Sequence, residues 1–61
     1  MTRKDYVLIA DVLASFKAGI ALDETKALND YLTLVMMMAG ELSNDNPRFD
    51  RARFIEACGI K

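Results

Sequence analysis

The chain has no histidine, one cysteine (Cys58), one proline (Pro47) and three glycines. Without histidine it lacks the side chain best suited to proton transfer near neutral pH, and no Cys/His spacing is available to hold a metal ion. A lone cysteine forms no internal disulfide, which suits a reducing, cytosolic setting rather than the stapled small domains found outside cells. The glycines are scattered, so no Gly-rich loop can cradle a phosphate. Long apolar runs are missing as well. The densest, residues 31–39, is nine residues long, against roughly 20 for a bilayer-spanning helix. The apolar run near the N-terminus is interrupted by Asp5 and Asp11 and leads to no small-residue cleavage pattern, so it does not read as a signal peptide. The expectation is a cytosolic protein that is not an enzyme, with no cofactor, no metal and no membrane partner.

What is present is apolar and evenly charged. Sixty-one residues make a single domain, and a chain this short buries only about 60% of its unfolded surface. Hydrophobic residues reach 52%, above the usual share for soluble domains, which leaves apolar surface to spare for a partner. Eight basic residues against nine acidic ones give a net charge of −1, which exerts no long-range pull on nucleic acid or anionic membranes.

The periodicity predicts an all-helical chain of two long antiparallel helices and one short one. Thr2 with Asp5 forms a capping-box variant opening a first helix over about residues 3–18. Tyr6, Ile9, Ala10, Leu13 and Phe16 supply its apolar face, widened by Leu8 and Val12, and Gly19 supplies its stop. Asp23 or a neighbour is expected to cap a second helix over about residues 24–43, with Glu24 in its first turn; this also accounts for the adjacent carboxylates without invoking catalysis. Its stripe is Ala27, Leu28, Tyr31, Leu32, Val35, Met38, Ala39 and Leu42. The short connection implies antiparallel packing. Ser43-Asn44-Asp45-Asn46-Pro47 is dense in turn formers and makes the second break.

The third helix, over about residues 51–58, is specified at both ends. Asp50 is its N-cap, Phe49 and Phe54 occupy the positions of a hydrophobic staple, and Gly59 with Ile60 fits a Schellman stop. Phe54, Ile55, Cys58 and Ile60 should dock on the helical hairpin, with Cys58 as a small buried hydrophobe. Arg51 and Arg53 are harder to explain, because positive charge in a first turn opposes the helix dipole. Together with Arg48 they either pair with Asp45, Asp50 or Glu41, or they receive a phosphate or an acidic partner jointly with free backbone amides.

Met36-Met37-Met38 cannot share one face, since three consecutive helical residues spread over about 200°. Met38 belongs to the core stripe. Met36, Met37 and Leu34 are candidate partner-binding residues; the alternative is a central second helix buried all round.

The segments Arg3-Lys4-Asp5-Tyr6-Val7-Leu8-Ile9-Ala10 and Asn46-Pro47-Arg48-Phe49-Asp50-Arg51-Ala52-Arg53-Phe54-Ile55-Glu56-Ala57-Cys58-Gly59 resemble the two ends of a group of small proteins from tailed bacteriophages and prophages. The likeness covers about a third of the chain and implies a phage-type origin and the host cytoplasm, but no reaction. By analogy it favours a protein that binds and modulates a host protein, as counter-defence inhibitors do. The preferred expectation is a non-enzymatic protein-binding or self-associating helical module whose partner is a host or phage protein or a second copy. The alternative is a helix-turn-helix-like nucleic-acid binder using the arginines of its last helix.

Overall fold

The structure, a computed structural model, describes residues 2–60. It contains three helices, α1 (Arg3–Ala18), α2 (Thr25–Asp45) and α3 (Arg51–Ala57), and no strand among the described residues. The all-α reading holds.

Local chemistry sets most of the boundaries. The Asp5 carboxylate accepts hydrogen bonds from the amide (3.0 Å) and hydroxyl (3.2 Å) of Thr2, which fixes the start of α1. Gly19 ends that helix, in right-handed geometry (φ −85). Asp23 does not cap α2. Glu24 takes the N-cap position and folds back, its carboxylate accepting from the Ala21 amide at 3.2 Å, so the helix starts one residue later than expected. At its other end α2 runs two residues past Ser43. Proline restricts only the residue before it, and Asn46 is duly extended (φ −137, ψ 105) while Ser43, Asn44 and Asp45 stay helical.

α3 matches its sequence signals most closely. The Asp50 carboxylate accepts from the Arg53 amide at 3.0 Å, and the Phe49 and Phe54 rings lie 5.4 Å apart as a staple. Gly59 has φ +89, and the amides of Gly59 and Ile60 bond back to the carbonyls of Glu56 and Ile55, completing the Schellman motif. Cys58 is the C-cap, one position outside the helix.

The long helices run antiparallel. Tyr6, early in α1, accepts a hydrogen bond from Asn46 just past the end of α2 (3.2 Å), and Phe16, late in α1, stacks on Tyr31 in the first half of α2 (6.1 Å between centroids). The two helices approach each other less than each approaches α3, so the short helix mediates much of their association. On the α1 side Tyr6 meets Phe49 edge-on at 4.6 Å. On the α2 side the Tyr31 hydroxyl donates a buried 2.7 Å bond to the Cys58 carbonyl. The fully buried set is small: Ala10, Tyr31, Val35, Ala39, Phe54 and Cys58. Tyr6, Ile9, Leu13, Met38, Leu42, Phe49, Ile55 and Ile60 pack against it half-buried.

Three residues expected in the core of α1 are not there. Leu8, Val12 and Phe16 are each more than 60% exposed. Helical spacing shows that an apolar stripe exists, but the stripe on α1 is wider than the surface that α2 and α3 cover. Leu32, expected in the α2 stripe, is 40% exposed at its edge.

Tyr31→Phe removes the hydroxyl that reaches the Cys58 carbonyl while leaving the ring in place. The loss of this buried partner should cost about 1–3 kcal/mol, read as a lower urea midpoint at unchanged slope.

Candidate functional site

The candidate partner-binding residues separate around α2. Met36 lies beside Leu32 over the seam with α3, next to Ile55 and Ile60. Met38 packs half-buried on the core. Leu34 and Met37 share the opposite flank, roughly 100–160° around the helix from Met36, and are 46% and 66% exposed. The all-round-buried alternative for α2 is therefore overturned, because α3 covers only one side of the hairpin.

The misplaced α1 residues complete the other side. α3 meets α1 along Tyr6, Val7 and Ala10. Leu8, Val12 and Phe16 lie roughly 120–160° around α1 from Ala10, beyond the edge where Phe16 stacks on Tyr31 of α2. They form an i, i+4, i+8 ridge on α1. By these helical angles the five exposed apolar side chains, three on α1 and two on α2, turn away from α3. Sequence reasoning found the α2 pair. The α1 three were readable only as extra apolar positions, and these were assigned to the core.

The arginines also separate. Among the described residues the one ion pair is Lys26–Asp30 at 3.1 Å, exposed at i, i+4, so the expected pairing of Arg48, Arg51 or Arg53 with Asp45, Asp50 or Glu41 is not formed. Of the amides at the start of α3, Asp50 takes that of Arg53 on its carboxylate and that of Phe54 on its carbonyl. A phosphate placed there would face that carboxylate. Arg48 and Arg53 line one cleft of about 330 Å³ between α1 and α3, with Arg3 on its α1 side, whereas Arg51 does not line it. Arg3 is distant in sequence from the other two. The signal that could have found it is the spacing Arg3, Tyr6, Val7, Ala10, which is i, i+3, i+4, i+7 on one face of α1.

Chemically reactive groups are scarce. No group of three or more His, Cys, Asp or Glu among the described residues could hold a metal ion, and no helix is long and apolar enough to cross a membrane. Cys58 is fully buried, and burial pushes its thiol pKa up. Burial also raises the Tyr31 phenol, with the neighbouring Cys58 adding to the effect. Asp5 is shifted the other way, because hydrogen bonds from the Thr2 backbone and side chain favour its carboxylate. Comparisons with protein families, curated proteins and solved structures gave no match for the chain.

These shifts set the pH response. Cys58 and Tyr31 hold their protons more tightly in the folded state, so their contribution is complete below the unfolded pKa values and is lost as pH rises. The urea midpoint should hold near neutrality and fall as pH climbs from about 8.5 through 10, the range in which unfolded thiols and phenols ionise. Asp5 acts oppositely, and its share is lost as pH drops below about 4. Ellman's reagent should label Cys58 at neutral pH only at the rate of unfolding, and fast native-state labelling would contradict the buried, proton-holding thiol.

Proposed function

We propose that this chain is a non-enzymatic, protein-binding helical module that works through the open face of its hairpin, and that a second copy of the chain covers that face. What supports this reading is the exposure of Leu8, Val12, Phe16, Leu34 and Met37 together with the helical angles that turn all five away from α3. Scattered exposed leucines need no explanation, but a contiguous patch built from two elements marks an interaction surface.

Surface area supports a second copy as the occupant. A folded monomer of 6.8 kDa is expected to expose about 3,950 Å² by the scaling of surface with mass. This chain exposes 4635 Å². The excess of about 700 Å² approaches the roughly 800 Å² that each partner buries in a standard interface. Two hairpins joined face to face about a two-fold axis form a four-helix bundle with α3 on each outer side, a self-complementary arrangement that closes on itself.

The likeness of both chain ends to small phage proteins supports a setting in which such a module binds and modulates a host protein, with the dimer as the acting species. Features of α3 weigh against the nucleic-acid alternative: it is seven residues long, Phe54 is buried, and Glu56 is exposed, as are Arg51 and Arg53.

Light scattering should show the mass rising with concentration toward twice that of the chain. Val12→Glu and Met37→Glu change exposed positions and should keep the helical circular dichroism while holding the protein monomeric. A wild type that stays monomeric at millimolar concentration, or glutamate variants that associate as well as wild type, would contradict the proposal.

A further inference from the structure

We propose that the cleft between α1 and α3 is a second binding site, on the other side of the hairpin from the open face, and that it takes an acidic peptide segment carrying one apolar anchor. The cleft holds about 330 Å³, and its lining combines apolar side chains that include Val7, Phe49 and Ala57 with Arg3, Arg48 and Arg53. Its size sits at the low end of small-ligand clefts, roughly 300–1,000 Å³, and suits one large side chain with its flanking backbone.

Charge selects the occupant. None of the three guanidinium groups is in an ion pair among the described residues. The one carboxylate lining the cleft, Asp50, is engaged in capping α3 through the Arg53 amide. The lining is therefore net positive on a chain whose overall charge is −1. Arg53 stands in the first turn of α3, where its charge opposes the helix dipole, a placement that local stability does not favour and a carboxylate ligand would offset.

Geometry separates an acidic peptide from other anions. The arginines come from different elements, Arg3 from α1 and Arg48 and Arg53 from the loop and start of α3, and the rest of the lining they share is largely apolar. A ligand that satisfies both has an apolar centre and carboxylates at its ends, each able to accept paired hydrogen bonds from a guanidinium. A free phosphate would leave the apolar part of the lining wet. A nucleic-acid backbone would bring charge onto the apolar part of the lining as well as the arginines.

The test is fluorescence anisotropy with a dye-labelled, end-blocked peptide having one phenylalanine flanked by two acidic residues on each side. Saturable binding is expected at low salt, weakened at least about tenfold when the phenylalanine is replaced by glycine and at least about tenfold in the Arg48→Ala/Arg53→Ala protein. Met37→Glu should leave binding unchanged, so failure of the dimer and failure of this site are distinguishable. Should the double variant lose helicity, Val7→Glu, at an exposed position of α1, makes the same test by placing a carboxylate in the lining. Equal binding of the glycine peptide, equal binding by the arginine variant or by a folded Val7→Glu protein, displacement by duplex oligonucleotide or inorganic phosphate at the peptide's own concentration, or no saturation up to millimolar protein would each overturn the proposal.

Discussion

The docking of α3 is the constraint on which the rest of the structure depends. Seven residues cannot sustain a helix alone in water, and the long helices make limited contact with each other, so helix and hairpin stabilise one another. The buried bond from the Tyr31 hydroxyl to the Cys58 carbonyl ties the end of α3 to α2. At the other end of α3, Tyr6, Phe49 and Phe54 form a chain of aromatic contacts that ties its start to α1. Removing either tie leaves a polar atom buried without a partner or an aromatic ring without its neighbour.

That arrangement is one-sided, and the one-sidedness leads to both proposed sites. A single short helix fills one face of the hairpin and leaves Leu8, Val12, Phe16, Leu34 and Met37 on the other. Where α3 meets α1, its short length and the bulk of Phe49 and Phe54 leave a cleft unfilled, lined by arginines and apolar side chains. A small domain has little core to spend, and here much of the apolar content serves the outside of the fold.

Signals that act within a few residues were legible in the sequence. The Thr2–Asp5 cap, the Asp50 cap, the Phe49–Phe54 staple and the Gly59 stop all operate over spans of five residues or fewer, and each formed as the chemistry required. The errors came where a neighbour in space decides the outcome. Leu8 and Val12 fall on a helical apolar stripe, but periodicity does not say how wide the covering helices are. At the candidate sites the same division holds. Arg48 and Arg53 stood out because they break a local electrostatic rule, whereas Arg3 breaks none and joins them only through the fold.

The three consecutive methionines report on the central claim, that the hairpin is covered on one side and open for pairing on the other. Met36 sits over the α3 seam, Met37 on the open face and Met38 against the core. Carbon-13 labelling of their methyl groups, read by NMR with a soluble paramagnetic probe across a dilution series, follows all three at once. The account predicts that Met37 becomes shielded from the probe as concentration rises, while Met36 stays accessible and Met38 stays partly shielded throughout. Shielding of Met36 instead of Met37, or equal and concentration-independent exposure of both, would contradict it.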